Sequence, residues 1–162
     1  MKPAEHADII VIGAGIAGAS VACVLAARCR VLLLERESQP GYHTTGRSAA
    51  LFTETYGNAV MRALTRASRQ FLLAPPVDSA STPLLQPRGT LLVATGSQLP
   101  RLEQIAAECT SLVANLALVD GRAVRERIPC FSEQQVAAGL FEPDAMDIDV
   151  HALHQGYLRR FA

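Results

Sequence analysis

Three glycines near the amino terminus limit the fold of this chain more than any other feature of its sequence. Gly13, Gly15 and Gly18 form the pattern G-x-G-x-x-G. A short, mostly apolar run, residues 8–12, precedes them, and an Ala-rich stretch, residues 16–27, follows them. The run is typical of a buried parallel strand, and the stretch is typical of a buried helix. The glycines therefore lie at a predicted strand-to-helix turn, which is the position of a dinucleotide-binding fingerprint.

The spacing of these glycines suits a backbone that lies close to a pyrophosphate. Gly13 allows a tight turn, Gly15 lets the backbone approach the phosphates, and Gly18 lets helix and strand pack closely. The amides and the dipole at the start of the helix favour an anion there. A second apolar run ends in Glu35, seventeen residues after Gly18, where a carboxylate can bind a ribose. An acidic residue at this position disfavours NADP, because it would repel the 2′-phosphate.

Two other interpretations fit this region less well. The uncharged run 9–27 is long enough to cross a bilayer, but the glycines interrupt it, and Glu5 and Asp8 precede it together with Lys2. The glycines alone also fit close packing in a helix hairpin. Since strand, helix and acid stand together at the spacing of a dinucleotide site, we favour that site and expect no transmembrane segment.

The composition of the chain excludes several functions. Its 162 residues suffice for one domain with a buried core. Charged residues make up 19% of the chain, with 15 basic and 15 acidic side chains, which disfavours disorder and nucleic-acid binding. The four cysteines form no C-x-x-C pair, so we expect small core residues in a cytoplasmic protein. No other His, Cys or acidic cluster accompanies His151 and His154, so we expect solvated or capping histidines and no metal.

Periodicity and capping residues predict the other elements. The two apolar runs, joined by a helix, form a parallel βαβ unit. A helix is predicted from Asn58 through Leu72, before Pro75 and Pro76. Further strands and helices are predicted beyond it: strands at 89–95, 116–119 and 136–141, and helices capped by Ser97, Asp120 and Asp149. Residues 42–55 are rich in Gly, Ser, Thr and Ala and predict an ordered loop with one helical turn.

Several segments, in order along the whole chain, resemble one family. They are Gly13–Gly18, Glu35-Arg-Glu37, Gly46-Arg47-Ser48-Ala49 and Asp147-Ile-Asp149. Together they resemble the FAD-dependent D-amino-acid oxidase/dehydrogenase superfamily, which includes glycine and sarcosine oxidases. Three runs are most similar to bacterial D-arginine dehydrogenase-like proteins: Gln39–His43, Thr45–Ala50 and Ala152–Arg159. The fingerprint alone does not separate FAD from NAD, but the small-residue loop after Pro40-Gly41 favours a long, extended cofactor.

The resemblance implies a flavin enzyme that moves a hydride from the α-carbon of an amino acid, of the D or the L configuration, to FAD. The products would be an imino acid and then a 2-oxo acid. FAD would be bound non-covalently, because Arg47 stands where some relatives carry a flavin-linked histidine. The implied cofactor contacts are Gly13, Ala14, Gly15, Ile16, Ala17, Gly18, Glu35, Arg36, Thr45, Arg47, Ser48, Ala49 and Ala50.

Three residues are candidates for the substrate side of the site. Thr53 and Tyr56 match substrate-side positions of the D-arginine dehydrogenase-like group, with ordinary loop packing as the alternative. Leu51 stands where that group has a histidine, and Thr90 stands where a carboxylate recognises a cationic side chain. An uncharged Thr90 leaves a desolvated guanidinium without a partner. We therefore expect a neutral substrate rather than D-arginine or D-lysine.

The resemblance also implies an α/β fold that is truncated. It predicts a Rossmann-type FAD-binding βαβ unit and the start of a substrate-side α+β region. Residues 1–80 would begin the FAD-binding domain, 81–142 would begin the substrate-side region, and 143–162 would form a helix returning to the first. We expect weak stability, no turnover by these residues alone, and either self-association or a complementing C-terminal chain. The alternatives are an isolated dinucleotide-binding module and an inactive fragment. The resemblance leaves open whether the longer protein associates with a membrane surface.

Overall fold

The structure, a computed structural model, describes residues 6–76 and 83–162. These residues form strands and helices in the order β1 (Ile9–Ile12), α1 (Ile16–Ala26), β2 (Val31–Leu34), β3 (Leu51–Phe52), α2 (Ala59–Leu73), β4 (Leu85–Pro87), β5 (Thr90–Ala94), α3 (Leu99–Cys109), β6 (Ala117–Asp120), α4 (Gly121–Arg127), β7 (Ala138–Glu142), β8 (Met146–Ile148) and α5 (Val150–Phe161). The predicted α/β fold class is confirmed.

The chain divides into two compact units. The first unit comprises Met1–Ala50, Gln70–Leu84 and Ile148–Ala162, and the second comprises Leu51–Arg69 and Leu85–Asp147. Helix α2 contributes its first part to the second unit and its last residues to the first. The domain boundaries at residues 80 and 142 stay a prediction.

The first unit contains the predicted βαβ arrangement. Strands β1 and β2 pair in parallel, in a register that runs from Ile9 opposite Val31 to Ile12 opposite Leu34. Helix α1 connects the two strands and also packs against α5. Its residues Ala19 and Ala22 are fully buried, because small side chains let two helices approach closely. The three residues between Ile12 and Ile16 keep the start of α1 beside the end of β1.

One expectation about these strands is wrong. The apolar run before the glycines predicted a strand buried on both faces, but Ile10 and Ile12 are 57% and 85% exposed. Among the described residues this sheet consists of β1 and β2. Helix α1 contacts both strands, so alternate side chains face the helix and the others face solvent.

The second unit is built around an antiparallel sheet with the strand order β5-β7-β6. Thr90 lies opposite Glu142 in the β5–β7 ladder, and Ala117 lies opposite Phe141 in the β6–β7 ladder. Helix α3 packs on this sheet through Leu102, which is 2% exposed. A second, small sheet has the order β3-β8-β4, and its first pair is antiparallel. The antiparallel sheet and α3 form the core that carries the cavity described below.

Most predicted helix caps are confirmed. Asn58, Asp120 and Asp149 each accept a backbone hydrogen bond in the first turn of their helix, at 3.0, 2.8 and 2.8 Å. The cap predicted at Ser97 is wrong. Thr95 instead forms a capping box with Gln98 at a short 3₁₀ turn, Gly96–Gln98, that leads into α3. Thr95 acts as the cap in place of Ser97 because Thr95 and Gln98 form the two reciprocal hydrogen bonds of a capping box.

The cysteines and the helices bear on two further expectations. Cys109 is buried, as expected of a small core residue, whereas Cys130 is exposed, so the expectation is wrong for that residue. Cys130 lies in a loop after α4, outside any packed element.

None of the helices formed by residues 6–76 and 83–162 combines the length and the apolar character needed to span a bilayer.

Candidate functional site

The glycine turn between β1 and α1 favours glycine at two of its positions, for two different reasons. Gly13 has a φ of +96°, which a residue with a Cβ rarely adopts. Its amide donates to the carbonyl oxygen of Leu34 at 2.7 Å, which ties the turn to β2. At Gly18, a Cβ would overlap the carbonyl oxygen of Gly13. Gly18 in α1 therefore lies in direct contact with Gly13, the first residue of the turn.

The loop after β2 reaches the first turn of α1 through Thr45. Thr45 is 8% exposed, and its Oγ1 accepts a hydrogen bond from the Ile16 amide at 2.9 Å. A Cβ on Gly15 would lie 3.2 Å from the same oxygen. The first amides of a helix have no acceptor within the helix. Thr45 satisfies one of them and lies against the backbone of Gly15.

Glu35 connects the end of β2 to the glycine turn. Its Oε2 accepts from the Ala14 amide at 2.8 Å, and its Oε1 accepts from the amides of Glu37 and Arg36 at 3.0 and 2.7 Å. These bonds, led by those from Glu37 and Ala14, hold the pKa of Glu35 below its usual value. A charged carboxylate therefore lies next to the turn at neutral pH, as ribose binding would require.

Among the described residues, no side-chain contact joins the remaining predicted cofactor-binding residues to the glycine turn. Arg36 donates to Glu37 Oε1 at 3.0 Å, and the guanidinium of Arg47 lies 5.0 Å from the centre of the Tyr42 ring. Ser48 Oγ accepts from the Ala50 amide at 3.0 Å. Ala50 has a φ of +46°, an uncommon conformation for a residue with a Cβ. Two further candidates carry only a methyl side chain: Ala17, in the first turn of α1, and Ala49, in the exposed part of the loop.

His154 is a part of this region that the sequence did not predict. It was expected to be solvated or to act as a cap, but it is 3% exposed, so that expectation is wrong. Its Nε2 lies 2.7 Å from the carbonyl oxygen of Ala14. The sequence does contain a signal for this contact. His154 lies one turn before Leu158 on the inward face of an amphipathic helix, and a polar side chain that is buried there requires a hydrogen-bond partner. Within residues 6–76 and 83–162, no group of three His, Cys, Asp or Glu side chains could hold a metal ion.

The second unit contains a cavity of about 610 Å³ between its first residues, β5 and α3. All three predicted substrate-side residues, Thr53, Tyr56 and Thr90, line this cavity, and so does Leu51. Tyr56 is 68% exposed, so its phenol is open to solvent. Residues that are 37 positions apart in sequence thus share one cavity.

The charged groups on this cavity are two arginines and one carboxylate. Arg62 is 5% exposed, and its Nη1 donates to Glu108 Oε2 at 3.0 Å. That bond holds the pKa of Glu108 below its usual value. The Nε of Arg62 is buried and has no hydrogen-bond partner among the described residues. Because Arg101 also lines the cavity while Glu108 is paired, the lining has a net positive charge.

A buried carboxylate supports one wall of the cavity. Glu142, at the end of β7, is 2% exposed. It accepts hydrogen bonds from Thr53 Oγ1 at 2.6 Å, from Thr55 Oγ1 at 2.7 Å and from the Glu54 amide at 2.8 Å. Glu142 therefore fixes the segment that carries two of the lining residues. This role could not be predicted from the sequence, because the contacts join residues 87 to 89 positions apart.

The fold is similar to that of several solved oxidoreductases. Glycine oxidase from Bacillus cereus matches with a TM-score of 0.75 and 22% identity over 96% of this chain and 44% of that chain. L-α-glycerophosphate oxidase from Mycoplasma pneumoniae, solved with FAD bound, matches with a TM-score of 0.76 and 16% identity over 96% and 42%. L-proline dehydrogenase from P. horikoshii matches with a TM-score of 0.74 and 19% identity over 97% and 42%. This chain thus spans less than half the length of each.

The sequence profile of the family described as FAD dependent oxidoreductase matches residues 8–162, from the residue before β1 to the last residue. The residues present fit that cofactor. Gly13 and Gly18 place no side chain over the backbone of the turn. The positive end of the α1 dipole favours an anion such as pyrophosphate at this position. Glu35 supplies the carboxylate for a ribose. The match confirms the predicted family, whereas the closer likeness to D-arginine dehydrogenase stays a prediction. By this match, the chain belongs to the family of FAD-dependent oxidoreductases.

Proposed function

We propose that this chain is the N-terminal, FAD-binding portion of an enzyme that oxidises the α-C–N bond of an amino acid. The contact between Glu35 Oε2 and the Ala14 amide carries the proposal, because it joins a ribose-binding carboxylate to a pyrophosphate-binding turn. The domain division at residues 80 and 142 is part of the proposal. When bound, FAD supplies the acceptor for the hydride from the substrate α-carbon, and the resulting imino acid hydrolyses to a 2-oxo acid.

The residues of the first unit hold the cofactor without a covalent bond. The backbone at Gly13, Ala14, Gly15 and Gly18 lies along the pyrophosphate, and Glu35 accepts hydrogen bonds from the adenosine ribose. The remaining contacts are assigned from sequence motifs: Ile16, Ala17, Arg36, Thr45, Arg47, Ser48, Ala49 and Ala50. Arg47 has no nucleophilic atom for a flavin bond, which supports non-covalent binding.

The cavity of the second unit binds the side chain of a neutral amino acid. Thr90 offers a hydroxyl where a cationic substrate would need a carboxylate. Arg62 and Arg101 line the same cavity, and the carboxylate of Glu108 is already paired with Arg62. A substrate guanidinium would enter a site of like charge without a free partner, at a desolvation cost. The D configuration of the substrate is inferred from the resemblance to D-arginine dehydrogenase-like proteins.

The complete enzyme is therefore expected to oxidise D-leucine or D-methionine with a higher kcat/KM than D-arginine. A Thr90→Glu variant should raise kcat/KM for D-arginine by about tenfold or more, the effect of one hydrogen bond to a charged group. The measurement is steady-state turnover with an artificial electron acceptor. Thr90→Val, which adds no charge, is the matched control and should leave the preference unchanged. A strong preference of the unaltered enzyme for D-arginine would contradict the proposal.

A further inference from the structure

The peptide between Ala14 and Gly15 is held from outside the turn by a side chain on α5. We propose that His154 is a positioning residue that directs the Gly15 amide toward the dinucleotide pyrophosphate. The inference rests on the proposed function, since it concerns the same turn. It adds a residue that is 140 positions away in sequence from the turn that it contacts.

The position of the His154 ring is fixed on two sides. Its Nε2 lies 2.7 Å from the Ala14 carbonyl oxygen, and because a carbonyl can only accept, Nε2 carries the proton and donates. On the other side the ring lies against Gly41: a Cβ there would come within 2.9 Å of Cε1 and 3.2 Å of Nδ1. Gly41 has a φ of +79°, so its backbone also favours glycine. The ring therefore has little freedom to leave the carbonyl.

The geometry of a peptide bond connects this contact to the cofactor. The carbonyl of Ala14 and the amide of Gly15 belong to one planar trans peptide, so they point in opposite directions. A ring that fixes the carbonyl also fixes the direction of the amide, away from itself. Ala14 is 3% exposed, so its carbonyl without His154 would be buried and unpaired. The peptide would then rotate to find another partner and would turn the amide with it.

The neighbouring amides of the turn are held by other side chains. The Ala14 amide donates to Glu35 at 2.8 Å, and the Ile16 amide donates to Thr45 at 2.9 Å. The Gly15 amide lies between them, in the part of the turn that a pyrophosphate approaches most closely. Its direction therefore depends on His154, because the bonds that Glu35 and Thr45 accept act on the peptides before and after it.

The test measures the dissociation constants of FAD, ADP and adenosine by calorimetry or amide NMR. His154→Asn keeps a polar side chain, but its donor is too short to reach Ala14, and His154→Phe keeps the ring without the donor. Both should weaken FAD and ADP about tenfold, the loss expected for one hydrogen bond, and leave adenosine unchanged. His154→Gln places a donor near the position of Nε2 and should stay within about threefold of the unaltered chain. His151→Phe, at an exposed position of the same helix, is the matched control.

The choice of ligands separates a positioning role from a structural one. Damage to the fold would weaken adenosine as much as ADP, and that outcome would overturn the inference. Equal ADP affinity in the His154→Asn variant and the unaltered chain would also overturn it, with the proposed function intact. If the unaltered chain binds neither FAD nor ADP, both the inference and the proposed function fail.

Discussion

A Gly18→Ala chain is expected to lose FAD binding and to unfold more easily, by about 1–3 kcal/mol. The added methyl group would overlap the Gly13 carbonyl oxygen, which is backbone and cannot rotate away. Either α1 moves away from β1, or the turn opens. Both changes displace the amides that face the pyrophosphate. Urea unfolding measures the loss of stability, and quenching of flavin fluorescence measures the loss of affinity.

Gly96→Ala is the matched control for that substitution. A Cβ at Gly96 meets no atom within 4 Å, and Gly96 is not among the residues with positive φ. The control should keep the stability of the unaltered chain or gain up to about 1 kcal/mol, because alanine has fewer conformations in the unfolded chain. Unchanged FAD affinity of Gly18→Ala would contradict the claim that binding requires close packing of the turn.

Glu142→Ala is expected to lower the free energy of unfolding by about 3 kcal/mol or more. The substitution removes the acceptor of three hydrogen bonds, from Thr53, Thr55 and the Glu54 amide. It also leaves a cavity where a side chain was 2% exposed. The segment on the cavity wall would lose its fixed position. Equilibrium unfolding in urea gives the stability, and the amide NMR shifts of Thr53 and Tyr56 report the position of the segment.

Two comparisons define the cause of that loss. Glu142→Gln keeps one acceptor oxygen and the volume of the side chain, so its cost should be smaller. Glu133→Ala removes a carboxylate that is 85% exposed and paired with Arg125 at 3.4 Å, so it should change stability by less than about 0.5 kcal/mol. Equal stability of Glu142→Ala and Glu133→Ala would show that the buried hydrogen bonds do not support the wall.

The longer elements could be predicted from the sequence because their signals are local. The helix from Ala59 to Leu73 has an apolar face at helical spacing and a capping Asn58, and the structure contains both. The strands β3, β4 and β8 have two or three residues each, too few to show an alternating pattern. They exist because other strands pair with them, which no local pattern reveals. The loop predicted at 42–55 contains β3 for this reason.

The candidate site divides in the same way. Gly13, Gly18 and Glu35 could be found because strand, glycines and acid follow one another within one βαβ unit. His154 and Glu142 could not, since their partners lie 140 and 87 to 89 residues away. A single histidine or glutamate is usually solvated, so its type alone predicts no contact. Long-range contacts between polar side chains and backbone are decided by packing of the whole unit.

The visible absorption spectrum of the chain, recorded after addition of FAD and gel filtration, measures whether these residues bind the cofactor. Circular dichroism on the same sample establishes that the chain is folded. We expect retained flavin bands, shifted from those of free FAD, in the unaltered chain and in Gly96→Ala, and no bands in Gly18→Ala. A folded chain that elutes without flavin would contradict the claim that the turn at Gly13–Gly18 and the carboxylate of Glu35 form an FAD site.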